Sequence, residues 1–142
     1  PGVAHLGLVA SLVAIDNAGL RAAIQAVAEA SYVFTTTKPS AKPRALARVS
    51  VGVAEAGSLR DGLREGRAMV AGVEFAKEWA NRPANHATPT MLAEAAKKLA
   101  RGGVIKTDVL GPKQVEALGM GSFMAVARGS AEPLRFIVMH YQ

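Results

Sequence analysis

Four apolar residues in succession near the end of the sequence constrain the fold most: Phe136, Ile137, Val138 and Met139. Such a run without polar alternation is typical of a strand covered on both faces, as in the middle of a parallel sheet. A central strand needs a neighbour on each side, because an open apolar edge promotes aggregation. Only one strand is predicted shortly before it. We therefore expect the second neighbour to come from elsewhere in a longer fold or from another chain.

The segment that leads to this run predicts a strand–helix–strand (βαβ) unit. Residues 104–110 are predicted as a strand, 112–118 as a helix and 121–128 as a second short helical turn. The final strand is predicted over residues 134–141, and Gly119 and Gly121 permit a tight turn between the two helices. The expected fold class is therefore α/β.

The first third of the sequence also predicts a strand, a helix and a strand. Residues 6–15 are mostly apolar and compatible with a strand, and Asp16 or Asn17 can cap the helix that follows. The apolar stripe of this helix is expected at Leu20, Ile24, Val27, Ser31 and Phe34. The threonines at 35–37 and the prolines after them are expected to end it, and a strand is predicted around residues 46–53.

A long helix dominates the middle of the chain, after a candidate boundary at residues 55–57. Ser58 with Asp61 resembles a capping box that opens the helix, which runs to Ala80. Its stripe is expected at Leu59, Leu63, Gly66, Val70, Val73, Ala76 and Ala80. The residues 81–85 (Asn-Arg-Pro-Ala-Asn) break it. Thr88 as N-cap and Pro89 then predict another helix to about residue 101.

Composition excludes several classes of protein. The 142 residues contain no cysteine, which excludes disulfides and thiolate metal sites and fits a reducing compartment. No apolar run approaches the roughly 20 residues that cross a bilayer. We expect a cytoplasmic protein without a membrane partner. Because the sequence opens on Pro1 without an initiator methionine, we expect a cut or partly recorded polypeptide.

The residues that could carry chemistry favour structural roles. Asp61 with Glu65 and Glu74 with Glu78 are spaced for cation binding, but neighbouring Arg and Lys favour a salt-bridged solvent face. Local hydrogen bonds are favoured for His86, Asn81 and Asn85, and His140 is expected as a packed or strand-end residue. No HExxH motif includes His5, and Ser130 lacks the GxSxG context of a nucleophile elbow. A GxG begins at Gly119, but Met124 at the third position argues against a dinucleotide cradle. Trp79 is expected to anchor the core or a subunit contact.

Several motifs in order resemble the leucine (cytosol) aminopeptidase family, over residues 20–141. Tyr32, Phe34 and Lys38 resemble a YxFxxxK stretch near the end of that family's N-terminal domain. The residues 80–93 resemble an NxPxN…TPxxLA signature, and residues 109–110 and 118–121 follow in the family order. A GMG…AVxxGS segment is matched by Gly119, Met120, Gly121, Ala125, Val126, Gly129 and Ser130. Pro133 and the last strand match the strand before the family's first metal-binding segment.

The resemblance implies a fragment with three parts. Residues 1–56 would be the C-terminal part of an N-terminal α/β domain, 57–88 a connecting helix and loop, and 89–142 the truncated beginning of a metallopeptidase catalytic domain. The family implies two divalent metal ions (Mn or Zn), peptide substrates with N-terminal leucine or other residues, and a homohexamer. Its metal-binding segments, of the GKGxxFDxGG and NTDAEGR kind, do not occur here. No catalytic, cofactor-binding or metal-ligating residue is therefore transferred, and the fragment alone is predicted inactive.

Two alternatives stay open from the sequence. The net charge of +6 allows a basic nucleic-acid-binding module, with Lys38, Lys42, Arg44 and Arg48 as its run of cations. No aromatic residue lies within that run to stack on a base, which favours ordinary solvated surface. A stand-alone structural or oligomerisation module would require another chain to cover the last strand.

Overall fold

The computed structural model describes residues 4–9 and 14–142. The chain divides into two compact units, Pro1–Arg82 and Pro83–Gln142. Both combine helices with a small sheet, so the predicted α/β class is confirmed. The assignment of residues 1–56, 57–88 and 89–142 to domains of a longer protein stays a prediction, since compactness alone does not identify those domains. No helix in the described part of the chain is long and apolar enough to cross a membrane.

The first unit is a parallel βαβ unit with a long helix packed on it. Strand β1 (His5–Val9) and strand β2 (Arg48–Gly52) pair in parallel, with His5 opposite Arg48. Helix α1 (Asn17–Ser31) connects them and packs against helix α2 (Arg60–Ala80). The strand predicted over residues 6–15 is thus confirmed for residues 6–9 and wrong for residues 14–15, which lie in no strand, while residues 10–13 lie outside the described residues.

Helix α1 begins as expected and ends earlier than expected. The Asp16 carboxylate accepts a hydrogen bond from the Gly19 backbone N–H at 2.7 Å, so Asp16 is the N-cap. The helix ends at Ser31, because Tyr32 is already extended (φ −65°, ψ 132°). The prediction that the threonines at 35–37 end the helix is therefore wrong, and Phe34 lies beyond its apolar stripe.

The start of α2 is capped from a distance. The predicted capping box of Ser58 and Asp61 is wrong, because the Ser58 hydroxyl donates to the Glu55 carbonyl within a 3-10 turn at Ala56–Leu59. The Asn17 side chain takes that role. Its Oδ1 accepts from the Gly62 N–H at 2.7 Å and its Nδ2 donates to the Ser58 carbonyl at 3.1 Å. The first residue of α1 thereby satisfies two backbone groups at the N-terminus of α2.

Glycines bring α1 and α2 close together. Gly62 and Gly66 are buried in α2, and a Cβ on Gly66 would lie 3.0 Å from Cδ1 of Ile24. The predicted stripe through Leu63 is wrong at that residue, since Leu63 is 47% exposed and Gly62 occupies the contact instead. Hydrophobicity predicted a leucine at the contact, but the short distance between the helices requires a residue without a side chain.

The second unit contains three helices and a two-stranded sheet. Its elements are α3 (Pro89–Ala100), β3 (Ile105–Leu110), α4 (Pro112–Ala117), α5 (Gly121–Ala127) and β4 (Phe136–Tyr141). Thr88 caps α3 by accepting from the Met91 N–H at 3.3 Å, as predicted. The Thr107 hydroxyl donates to the Ala96 carbonyl at 3.2 Å and so links β3 to α3. The core consists of small residues and one valine: Ala93, Ala95, Ala96 and Val115.

Strands β3 and β4 are antiparallel, with Ile105 opposite Tyr141 and Leu110 opposite Phe136. The parallel arrangement predicted for this pair is wrong, although the order of elements is correct. A run of apolar residues reports how deeply a strand is covered and carries no information on its direction. Residues 136–138 are half-buried, while Met139 is 54% exposed. Among the described residues, β4 pairs with β3 alone.

Candidate functional site

Two of the three histidines contact a residue on the neighbouring strand. His5 Nε2 lies 3.0 Å from the Ser50 hydroxyl, across the β1–β2 pair. In the second unit His86 is exposed in the loop before α3, and His140 Nε2 lies 3.9 Å from Oδ2 of Asp108 on the neighbouring strand. No group of three or more His, Asp or Glu side chains within residues 4–9 and 14–142 is arranged to hold a metal ion.

The first acid pair of α2 forms ion pairs at the surface. Asp61 Oδ1 lies 3.0 Å from Arg64 of the same helix, and Glu65 pairs with Arg21 of α1. The predicted salt-bridged solvent face is confirmed for Asp61 and Glu65. Such exposed pairs contribute little to stability, usually below about 1 kcal/mol each.

The second acid pair, Glu74 and Glu78, holds the loop that follows α1. Glu74 pairs with Arg44, whose Nε also donates to the Ser31 carbonyl at 3.1 Å. Glu78 accepts hydrogen bonds from the Tyr32 hydroxyl at 3.1 Å and from the Thr36 hydroxyl at 2.8 Å. The predicted salt bridging is thus confirmed for Glu74, but both carboxylates are half-buried rather than fully solvated, and Glu78 accepts from hydroxyl groups instead of pairing with a cation.

We define the Glu78 cluster by its members: Tyr32, Thr36, Arg44, Glu74, Lys77 and Glu78. Lys77 adds a cation–π contact, with Nζ 5.2 Å from the centre of the Tyr32 ring. The carboxylate oxygens that face the loop are occupied by donors from the loop itself. The cluster therefore fastens the loop to α2, and its geometry indicates a structural role. Sequence patterns do not reveal it, because its partners lie 30 to 46 residues apart.

Burial of the Tyr32 hydroxyl raises the pKa of this side chain above its ordinary value of 10.0. The hydrogen bond to Glu78 and the negative charges of Glu78 and Glu74 raise this pKa further, while a hydrogen bond with Asn81 opposes the shift. The neutral hydroxyl is thus the form that the folded state favours. Its stabilising contribution is complete below the unfolded pKa and is lost as the pH rises through the folded pKa.

We expect a Tyr141→Phe variant, in which Tyr32 is the remaining tyrosine, to form tyrosinate with a midpoint above pH 10.0 in an ultraviolet titration. Adding Glu78→Gln should lower the midpoint, because it removes a charge that opposes ionisation. The matched change Glu94→Gln lies in the second unit and should leave the midpoint where it was. A midpoint at or below the ordinary value would contradict this description of the cluster.

The end of α2 carries an aromatic–cation stack. Trp79 is half-buried, lies 6.4 Å from Phe75 between ring centres, and has the Arg82 guanidinium 4.2 Å from its ring centre. The Asn81 amide donates to the Lys77 carbonyl at 2.9 Å. This confirms that Asn81 satisfies a backbone group where the helix ends. Whether Trp79 contacts another subunit stays a prediction.

The glycine turn and Ser130 in the second unit also have local roles. Gly119 has φ +67°, a conformation that favours glycine, at the turn between α4 and α5. The Ser130 hydroxyl accepts from the Glu132 N–H at 3.1 Å. The predicted tight helix-to-helix turn is confirmed at Gly119.

The basic run of the first unit is partly engaged. Lys38, Lys42 and Arg48 are exposed, but Arg44 is paired with Glu74. A phosphate would have to displace that carboxylate to gain the Arg44 guanidinium. The number of cations available for phosphate contacts is therefore smaller than the sequence indicated.

Comparison with known proteins finds similarity to cytosol aminopeptidases. The catalytic domain of the cytosol aminopeptidase family matches residues 74–142. A probable cytosol aminopeptidase of Polaromonas sp. (strain JS666 / ATCC BAA-500) is 58% identical over 138 residues, which is 95% of this chain and 27% of that protein. Another, from Albidiferax ferrireducens, is 61% identical over 89% of this chain and 26% of its own length. The chain thus spans about a quarter of the curated relatives that it matches.

A solved structure has the same fold over nearly the whole chain. The bottromycin maturation enzyme BotP in complex with Mn superposes with a TM-score of 0.82 at 26% sequence identity. The match covers 99% of this chain and 30% of that one. The resemblance inferred from the ordered motifs is confirmed by the family match and by the cytosol aminopeptidase relatives.

Proposed function

Because the chain is homologous to the cytosol aminopeptidase family over nearly its whole length, we propose that it is part of a metal-dependent aminopeptidase. The observation that carries this proposal is 58% identity over 95% of the chain to a probable cytosol aminopeptidase. The proposed reaction is the hydrolysis of N-terminal residues, leucine among them, from peptides. We further propose a cytoplasmic homohexamer, which rests on the family resemblance alone.

We propose that the metal ions of this enzyme, two manganese or zinc ions, are bound by residues outside these 142. A two-metal hydrolase needs several oxygen or nitrogen ligands that converge on ions about 3.5–4 Å apart. The described residues do not fit such a site, since they contain no group of three His, Asp or Glu side chains that could hold an ion. The presence of Mn with BotP supports manganese. This chain would then supply scaffold: helix α2 and the β3–β4 pair.

The proposal that the metal ligands lie outside these 142 residues is tested by hydrolysis of leucine amide. We expect the purified 142-residue chain to show no turnover, with or without added Mn²⁺ or Zn²⁺, because it lacks the ligands that activate water. A longer protein that continues this sequence through GKGxxFDxGG-type and NTDAEGR-type segments should turn over leucine amide and lose that activity on chelation.

Two controls make this comparison decisive. A variant of the longer protein with the Asp of its NTDAEGR-type segment changed to Asn should be inactive and still folded. Turnover by the 142-residue chain that survives purification and stops on chelation would contradict the proposal. Inactivity of the metal-loaded longer protein on a panel of amino-acid amides would contradict the assignment as an aminopeptidase.

The nucleic-acid alternative has its own test. Phosphate contacts release counterions, so binding through the basic run should fall steeply as salt rises. Gel shifts with duplex DNA at low and high salt therefore measure it directly. Absence of a complex at low salt would remove this alternative.

A further inference from the structure

An apolar cavity of about 340 Å³ lies in the first unit between α1, α2 and β2. Aliphatic side chains form most of its wall, among them Leu20, Ile24, Val49, Val51, Leu59 and Leu63. The volume is at the lower end of the range of about 300–1,000 Å³ that is usual for small-molecule sites. Leu63 is 47% exposed and Val49 39% exposed, so the cavity is open to solvent on that side.

Two arginine side chains lie at the opening of the cavity. Arg60 and Arg67 line the cavity together with the aliphatic residues. A second, adjoining groove is lined by Arg60, Leu63, Arg64 and Arg67. These positions are three, four and seven residues apart in α2, which places them on one helix face. The apolar cavity therefore continues into a cationic groove.

The nearby carboxylates do not neutralise this groove fully. Asp61 pairs with Arg64, and Glu65 pairs with Arg21 of α1. In the described part of the chain, neither Arg60 nor Arg67 forms an ion pair. Two guanidinium groups thus remain to receive an anion beside an aliphatic wall.

We propose that this cavity binds an alkyl carboxylate, the chemical class of a medium-chain fatty acid. The alkyl chain would pack on Leu20 and Leu59, and the carboxylate would lie against Arg60 and Arg67. The planar guanidinium fork matches a carboxylate and binds it through paired hydrogen bonds. An uncharged alkane chain gains the apolar contacts alone, and a cationic amphiphile is repelled. The proposal is independent of aminopeptidase activity.

The test is a methyl NMR titration of the full chain with sodium decanoate, below its micelle concentration. We expect saturable shifts that are largest at the methyl groups of Leu20, Ile24 and Leu63. Butyrate, which has the same headgroup and a short chain, should bind far more weakly. Decyltrimethylammonium, which has the same chain and the opposite charge, should give no saturable shift at these methyls.

Single substitutions distinguish a direct contact between an arginine and the carboxylate headgroup from a general effect of the net charge of the chain. Arg60→Gln and Arg67→Gln should each weaken decanoate binding roughly tenfold, because each removes a charge-assisted hydrogen bond. Lys38→Gln removes the same charge from the loop after α1 and should change the affinity by no more than about twofold. Circular dichroism of both arginine variants should match that of the unsubstituted chain, which controls for loss of folding. Equal binding of decanoate and decyltrimethylammonium, or shifts centred outside the cavity, would overturn the proposal.

Discussion

Replacing Gly62 by alanine should destabilise the first unit by about 2–3 kcal/mol. A Cβ at this position would lie 2.7 Å from the Asn17 carbonyl oxygen and 2.8 Å from its Cα, so a side chain there displaces backbone. The displacement also separates the Asn17 amide from the Gly62 N–H that it caps. The gain of about 1 kcal/mol that alanine brings to a helix does not offset these losses.

Gly72 of the same helix is the matched control. A Cβ there meets nothing within 4 Å, so alanine at this position adds helix propensity without a clash. We expect Gly72→Ala to stabilise the unit by about 0.5–1 kcal/mol. Urea unfolding followed by the fluorescence of Trp79, the one tryptophan of the chain, measures both variants. Equal effects of the two substitutions would show that α1 and α2 do not approach closely at Gly62.

Replacing Val115 by alanine should destabilise the second unit by about 1.5–3 kcal/mol. Val115 lies in α4 and is 0% exposed, so the change removes buried carbon atoms and leaves a cavity. The other buried residues of this unit are alanines, which have little freedom to fill the space. Hydrogen exchange of the β3 and β4 amides measures this loss of stability, because these amides exchange when the unit opens.

Val126→Ala is the control for this change. Val126 lies in the short helix α5 and is 87% exposed, so the same atoms are removed from a site that water already covers. The effect should stay within about 0.5 kcal/mol. If the two valines behave alike, the core of the second unit is not centred on Val115.

The sequence predicted the elements well where short-range interactions decide them. Asp16 and Thr88 cap their helices through backbone groups three residues away, and the turn at Gly119 depends on its own backbone freedom. The order β3, α4, α5, β4 followed from local periodicity and glycine positions. The family resemblance also came from the sequence, because ordered motifs can be compared without a structure.

The candidate sites were predictable in part. The ion pair of Asp61 followed from the neighbouring Arg64, whereas Glu65 pairs with Arg21, 44 residues away in α1. The Glu78 cluster did not, because Tyr32 lies 46 residues before Glu78 and no local pattern connects them. The cavity beside Arg60 and Arg67 could likewise not be predicted from the sequence, since its walls come from three elements.

The sequence by itself determined which segments become helices and strands, since caps, turns and periodicity act over a few residues. Tertiary structure alone decided that β3 and β4 run antiparallel, because side-chain hydrophobicity is the same in either direction. It also decided that Asn17 caps α2 rather than α1, through a contact that spans 45 residues. Such a contact exists only once the two helices have packed, so no local feature of the chain can specify it.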